Sequence, residues 1–295
     1  MDKYIIIANE KKDRDFVITE QTKQCIEQFG VVEHIYYTTE SGKVSIGEID
    51  PEVRCVFTIG GDGTLIQAAR SLIGTNVPIL GINRGTLGYL TEVDVKNLEE
   101  AIAQVSRNEF TTEERMMICG KLPDRQEDVA LNDIVVTRHG SVKIIHYRVY
   151  VNGEFLNSFQ ADGMIVSTPT GSTAYNLSAG GPIVEPTAAL FVITPICSHA
   201  LNTRSIVLSA SDRIEIEIGE GRGYGEELAE VAFDGADIAY LRTGERIVIR
   251  QADVTAKLMK LSKESFLETL REKMKGNLRD EGRSTCENRR ADREI

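Results

Sequence analysis

Apolar residues in the first hundred positions occur in two alternating kinds of stretch. Tyr4–Ala8, Val53–Ile59 and Pro78–Ile82 are short apolar runs, with the length and continuity of strands buried on both faces. Between them apolar positions recur at helical spacing. They do so over Phe16–Phe29, at Phe16, Ile18, Cys25, Ile26 and Phe29 before the stop at Gly30, and again over Leu65–Ile73 and Val95–Val105. Strands alternating with helices predict βαβ units and a parallel sheet.

Beyond about residue 110 the rhythm changes. Ile144–Val151 reads as a strand, Asn152-Gly153 as a two-residue hairpin turn, and Glu154-Phe155-Leu156 as the returning strand. Arg213–Ile218 alternates charged and apolar residues strictly, the pattern of a half-solvated antiparallel strand. Val231-Ala232-Phe233 and Arg246–Ile249 add further strands, and no helix longer than two turns is evident between Asp133 and Asp253. Ser265–Met274 regains helical spacing, with Phe266, Leu267 and Leu270 on one face.

The expected architecture is an α/β N-terminal domain with a Rossmann-like parallel sheet over 1–110, then an all-β, sandwich-like domain over 111–261. A closing helix over 262–275 is expected to return to the first domain. Residues 276–295 are nearly all polar, with arginines set against carboxylates, and cannot bury enough surface to order themselves.

Charge narrows the function classes. The 295 residues carry 45 acidic and 34 basic side chains, a net charge of −11, which argues against a nucleic-acid partner. No apolar run approaches the roughly 20 residues that span a bilayer, and the N-terminus lacks the features of a signal peptide, so a cytoplasmic chain is expected. Cys25, Cys55, Cys119, Cys197 and Cys286 are odd in number and show no Cys-x-x-Cys pair, which implies neither disulfides nor zinc. His34, His139, His146 and His199 form no His-x-x-x-His pair, and no metal held entirely by protein ligands is expected.

Chemistry concentrates in two segments. Gly60-Gly61-Asp62-Gly63-Thr64 follows a buried strand and precedes a helix. Its glycines let bare amides approach a ligand, and the helix N-terminus favours a phosphate there. It is neither a Walker loop nor the Rossmann Gly-x-Gly-x-x-Gly. An aspartate beside phosphates suits transfer to a hydroxyl, whose proton a carboxylate can take; a plain helix cap is the alternative for Asp62. Mg²⁺, or another divalent cation, would be carried largely by the donor's own phosphates. The second segment, Asp162–Pro182, is dense in hydroxyls and glycines and uncharged after Asp162, suited to gripping a ligand.

Gly60–Thr64, Asn83-Arg84-Gly85-Thr86-Leu87-Gly88-Tyr89-Leu90, Leu131-Asn132-Asp133 and Thr168-Pro169-Thr170-Gly171-Ser172-Thr173-Ala174-Tyr175 closely resemble NAD kinase motifs, in NAD kinase order. The resemblance extends through Ser198-His199-Ala200-Leu201, Phe233-Asp234-Gly235 and Ser265–Leu270, and so covers about residues 1–275. The Gly-Gly-Asp-Gly element is shared with diacylglycerol, sphingosine and 6-phosphofructo kinases. The Thr-Pro-Thr-Gly-Ser-Thr-Ala-Tyr element is far more specific.

The resemblance implies Mg²⁺-dependent phosphoryl transfer from ATP or polyphosphate to the 2′-hydroxyl of the adenosine ribose of NAD⁺. It places the general base on Asp62. It places dinucleotide contacts on Asp62, Gly63, Asn132, Asp133, Asp162, Thr173, Ala174, Tyr175, Asn176, Leu177 and Ser178, with Lys143 and Gln160 nearby. Gly60, Gly61, Gly63, Thr64 and Arg84 would form the donor side. It also implies a homodimer or homotetramer.

The side chains suit those roles. Asp133 can accept from ribose hydroxyls or an adenine amino group, and Asn132 can both donate and accept. Tyr175 offers a face to a base, and Arg84 and Lys143 offer positive charge to polyanions. His199 is expected to be structural. Two positions depart from the family: Ala236 stands where glutamine is frequent, and Gln160 where some members carry arginine. Gly219–Gly225 imitates a phosphate loop but follows an antiparallel strand, and reads as a hairpin connection. Two other readings stay open: a lipid or sugar kinase sharing the glycine loop, and a catalytically silent nucleotide-binding regulator.

Overall fold

A computed structural model describes residues 1–39, 44–83, 88–140, 144–200, 204–220, 226–262 and 264–275. Arg84, Lys143, Leu201, the glycines after Gly219 and the polar tail lie outside them. Residues 1–261 form one compact unit. It opens as the hydrophobic pattern predicts: β1 (Asp2–Ala8), α1 (Val17–Ile26), β2 (Gly30–Tyr37), β3 (Val53–Gly60), α2 (Asp62–Ser71), β4 (Ile79–Asn83), β5 (Val93–Asp94) and α3 (Leu98–Ser106).

The strands from β1 to β5 pair in parallel, in the order β2-β1-β3-β4-β5. Tyr4 to Ala8 of β1 are completely buried, as a strand covered on both faces must be. Ile18 and Ile26 of α1 and Ile102 and Val105 of α3 pack on one face of the sheet, against Tyr4, Phe57 and Ile82. On the other face Leu65, Ile66 and Ala69 of α2 meet Ile5, Ile7 and Val56. The helix expected from Phe16 begins one residue later. The carboxylate of buried Asp13 accepts from the amides of Ile18 (3.0 Å) and Thr19 (2.8 Å), satisfying two of its orphan donors. β2 has no counterpart in the sequence reading, because Glu33 and His34 interrupt its apolar run. As the sheet's edge strand it pairs only with β1, so half-exposed polar residues are tolerated.

The rest of the unit is built of strands: β6 (Thr111–Lys121), β7 (Asp128–Ala130), β8 (Asp133–Arg138), β9 (Ile145–Val151), β10 (Glu154–Ala161) and β11 (Gly163–Ser167). A 3-10 turn (Thr170–Thr173) and the one-turn α4 (Tyr175–Ser178) intervene. Then come β12 (Leu190–Ile196), β13 (Ile206–Ser209), β14 (Ile214–Ile218), β15 (Leu228–Phe233), β16 (Ala236–Arg242) and β17 (Arg246–Lys260). A six-stranded sheet, β13-β12-β11-β8-β15-β16, is antiparallel throughout.

This sheet packs Ile134, Met164, Phe191 and Phe233 against Ile118, Tyr147, Ile216 and Ile249 of the antiparallel half of the large sheet, forming the expected sandwich. The large sheet is continuous. The fifteen-residue β17 pairs with β14 near its start and with β4 at Leu258, joining antiparallel to parallel strands in one eleven-stranded sheet.

One expectation is corrected. Alternation does hold along β14, but its charged face is not solvated: Glu215 and Glu217 are only 8% and 6% exposed. β14 lies between β9 and β17, and arginines from all three segments cover it. Arg213 reaches Glu215 at 2.7 Å, Arg148 reaches Glu217 at 2.9 Å, and Arg246 bridges both while lying 4.5 Å over the Tyr150 ring. The Asn152-Gly153 turn is found with both residues left-handed (φ 53° and 84°), as a tight hairpin between β9 and β10 requires.

The described residues beyond Leu261, 262 and 264–275, belong to a second unit. Its helix, 266–275, starts with a capping box. The Ser265 hydroxyl accepts from the Glu268 amide (3.3 Å), and the Glu268 carboxylate accepts from the Ser265 amide (2.8 Å).

Candidate active site

In the parallel half, the chain steps from β1 outward to β2, then returns to place β3 on β1's other side. The order reverses between β1 and β3, and the carboxyl ends of the strands at such a switch point are the usual ligand site of open α/β sheets. The loop after β3 is Gly60–Gly63. The loop after β1 is held beside it by Asn9, whose side-chain carbonyl accepts from the amides of Lys11 (3.1 Å) and Lys12 (3.2 Å). The Asn9 amide group donates to the Thr64 hydroxyl (3.4 Å). This arrangement brings the Lys12 ammonium to 2.9 Å from where a Cβ on Gly61 would stand. A cation thus covers the glycine loop.

Asp62 is the first residue of α2, but its side chain does not cap that helix. Its carboxylate turns to the loop before β5 instead. Oδ1 accepts from the amides of Leu90 (3.2 Å) and Thr91 (3.0 Å) and from the Thr91 hydroxyl (3.2 Å). Oδ2 accepts from the Tyr89 amide (2.8 Å). A Cβ on Gly88 would sit 1.9 Å from Oδ1, so only glycine lets the loop lie this close. Among the described residues Oδ1 accepts three hydrogen bonds and Oδ2 one, which leaves Oδ2 a lone pair.

The second cluster forms where β8 and β11 pair, with Asp133 opposite Ser167. Thr168 donates its amide to Asn132 O (2.8 Å) and its hydroxyl to Leu131 O (2.6 Å). A Cβ on Gly171 would meet the Asn132 carbonyl at 2.1 Å, so the Thr-Pro-Thr-Gly loop lies directly on the Asn132 backbone. Two sequence-distant segments thereby become one cradle. Asn132 Oδ1 and Thr170 Oγ1 are buried there without a hydrogen-bond partner among the described residues. Buried acceptors of this kind suit a ligand that brings donors.

Electrostatics single out the same cradle. Burial first, then the charge of Asp234, pushes the Asp133 carboxyl up to about 7. Burial also raises Asp234, against the pull of backbone amides and of Arg70. Arg70, on α2, donates to Val129 O (2.9 Å) and Phe233 O (3.2 Å), grips Asp128, and lies 3.9 Å from Asp234.

The remaining candidates are divided: Asp162 and Gln160 lie at the passage from β10 into β11, the far end of the β8–β11 ladder from Asp133 and Ser167, whereas Thr173–Ser178 follow directly on the Thr-Pro-Thr-Gly loop. Asp162 pairs with Arg138 (3.2 Å), and the Gln160 carbonyl accepts from the amide of exposed His199 (3.0 Å). Thr173 ends the 3-10 turn; Ala174 precedes α4, which carries Tyr175 with its ring 44% exposed, Leu177 and Ser178. Asn176 is completely buried. Its amide group donates to Ser172 O and Pro182 O, its side-chain carbonyl accepts from the Thr194 hydroxyl and its backbone carbonyl from the Gly181 amide, so it braces the segment from within. Sequence reasoning missed Lys12, Arg70 and Arg138. Arg70 had a signal: it is a lone cation following the apolar face Leu65, Ile66, Ala68, Ala69.

A glycine loop and carboxylate at a switch point, with a buried polar cradle on the adjoining sandwich, define a nucleotide-handling enzyme of the α/β class. Family models agree: residues 19–110 match the ATP-NAD kinase N-terminal domain, and 131–261 the C-terminal domain. A protein named NAD kinase from Agathobacter rectalis is 44% identical over 93% of this chain and 99% of its own length. One from Lachnospira eligens is 43% identical over 92% and 99%. The fold matches yeast NADH kinase solved with NADH (TM-score 0.77, 23% identity, 92% of this chain and 87% of that one). It also matches an Archaeoglobus fulgidus NAD kinase solved with ATP (TM-score 0.75, 24% identity, 92% and 98%). The chain belongs to the NAD kinase family.

Proposed function

We propose that this chain transfers the terminal phosphoryl group of ATP to the 2′-hydroxyl of the adenosine ribose of NAD⁺, giving NADP⁺ and ADP. The observation that carries the reading is Asp62, anchored through Oδ1 with a lone pair left on Oδ2. The hydroxyl oxygen attacks phosphorus and forms the new P–O bond while the bond to the bridging oxygen of the leaving ADP breaks. The hydroxyl proton passes to Asp62 Oδ2.

Asn132, Asp133 and Tyr175 hold the adenosine end together with the Thr173–Ser178 backbone, and Asp162, Gln160 and Lys143 are further dinucleotide contacts of the reading. The glycine-loop amides, Thr64, Arg84 and Lys12 receive the donor's phosphates; polyphosphate presents the same chemistry. No group of three or more His, Cys, Asp or Glu side chains suited to a metal occurs among the described residues. A divalent cation such as Mg²⁺ would be carried on the donor's oxygens and would neutralise the phosphate charge there. A homodimer or homotetramer in the cytoplasm completes the reading. No helix among the described residues is long and apolar enough to cross a membrane.

Incubating the protein with NAD⁺, Mg²⁺ and ATP or polyphosphate, then assaying NADP⁺ with an NADP-specific dehydrogenase, tests the reading. No NADP⁺ with either donor overturns it, and phosphorylation of diacylglycerol instead would place the chain with the lipid kinases. Lys12→Ala should raise the KM for ATP roughly tenfold, the effect of losing one hydrogen bond to a charged group, and leave the KM for NAD⁺ nearly unchanged. Equal effects on both substrates would remove Lys12 from the donor side.

A further inference from the structure

The turn between β15 and β16 contains a carboxylate that is not itself among the expected ligand contacts yet is almost wholly enclosed: the Asp234 side chain is 1% exposed. Its oxygens accept three successive backbone amides, those of Leu131 (2.8 Å, Oδ2), Asn132 (2.7 Å, Oδ1) and Asp133 (3.2 Å, Oδ1). Its own amide donates to Asp133 O (3.0 Å). Asp234 and Gly235 are both left-handed (φ 51° and 70°), so a tight turn aims the carboxylate back at the entrance of β8.

Behind it lies Arg70, 8% exposed, two turns beyond Asp62 on the same helix. Its guanidinium ties α2 to Val129 and Phe233 on either side of that carboxylate. A continuous chain of polar contacts therefore runs from the helix that begins at Asp62, through Arg70 and Asp234, to the backbone of Asn132 and Asp133.

We infer that Asp234 is a positioning residue for the dinucleotide: anchored by Arg70, it holds the Leu131-Asn132-Asp133 backbone so that both side chains face the substrate at a set distance from Asp62. This rests on the NAD kinase reading and extends it. A turn needs no carboxylate to do its own work, since asparagine also accepts a left-handed backbone. What asparagine cannot do is accept all three amides. Whichever way its side chain is turned, an NH₂ group faces at least one of them, and the charge opposite Arg70 is lost.

The test is Asp234→Asn in the full-length chain, beside wild type. The wild-type assay comes first: absence of NADP⁺ there sinks the functional reading, not this inference. With wild type active, the KM for NAD⁺ should rise about ten- to a hundredfold, the effect of leaving a buried amide unpaired beneath the grip. The KM for ATP should stay within about twofold.

A second readout is the pH dependence of NAD⁺ affinity, measured by titration calorimetry. The charged group facing Asp133 is Asp234. Arg70 of α2 and Asp128 of β7 lie on Asp234's far side, and Ser167 and Thr168 opposite on β11 are uncharged. Removing Asp234's charge should move the acid loss of affinity to lower pH. An unchanged KM for NAD⁺ and an unmoved pH profile overturn the inference, as does a variant with both KM values unchanged and only kcat and melting temperature lowered. If Asp234→Asn does not fold, Arg70→Lys decides. It keeps the charge but loses the fork, and a selective rise in the KM for NAD⁺ supports the inference while no rise overturns it.

Discussion

Asp62→Asn is expected to lower kcat by at least about two orders of magnitude, because a positioned general base contributes roughly a hundred- to ten-thousandfold. Asparagine retains Oδ1 for the amides of Leu90 and Thr91, but its NH₂ group replaces the oxygen that accepts from Tyr89 and that has a lone pair for the ribose proton. The loop before β5 therefore loses one hydrogen bond, about 1 kcal/mol, and the fold survives. Affinity for NAD⁺ should fall only a few- to tenfold, the effect of one lost contact. Steady-state kinetics beside calorimetry on the same variant decides the matter. Near-wild-type turnover would leave Asp62 as nothing more than an anchor for that loop.

Asp133→Asn should stabilise the protein and impair it at once. In the fold its carboxyl is pushed up to about 7, well above the ordinary aspartate value of about 3.9, by burial first and then by the charge of Asp234. A group whose pKa is raised by folding contributes stability that is full below the unfolded pKa and lost as pH rises through the folded one. At pH 8 Asp133 is ionised in a buried site, at a penalty on the order of 4 kcal/mol relative to pH below 4. Asparagine never bears that charge. The variant should melt at least about 3 °C higher than wild type at pH 8, and the difference should shrink as pH falls towards 4. Its KM for NAD⁺ should rise roughly ten- to a hundredfold through loss of a charge-assisted acceptor. A melting curve no higher than wild type at pH 8 would show that the ionised carboxylate is already compensated.

Both effects depend on placements that differ in how far the chain itself announces them. Gly60–Thr64 was legible as a glycine loop between a buried strand and a helix because its signals are local: three glycines, an aspartate, a preceding apolar run and a following helix all lie within a dozen residues. The Asn-Gly turn and the strand alternation of β14 were legible for the same reason. What Asp62 touches was not. Its carboxylate accepts from the amides of Tyr89, Leu90 and Thr91, nearly thirty residues away, and only the close passage made possible by Gly88 brings them there. The burial of Glu215 and Glu217 was equally hidden, since it depends on arginines from neighbouring strands.

By itself, then, the sequence determined the alternation of buried strands and helices in the first third, the change to antiparallel architecture beyond it, and which residue types could move a proton or grip a dinucleotide. These follow from periodicity and from side-chain chemistry, which are properties of short stretches of chain. The tertiary structure alone decided that β17 joins both halves into one sheet, that Asn132 and Gly171 share one cradle, and that Asp133 titrates near neutrality. It alone set Arg70 behind Asp234. The reason is physical: a pKa, an orphaned acceptor or a buried ion pair is fixed by which groups exclude water from one another, and those groups come from segments the chain separates by as many as 164 residues (70 to 234).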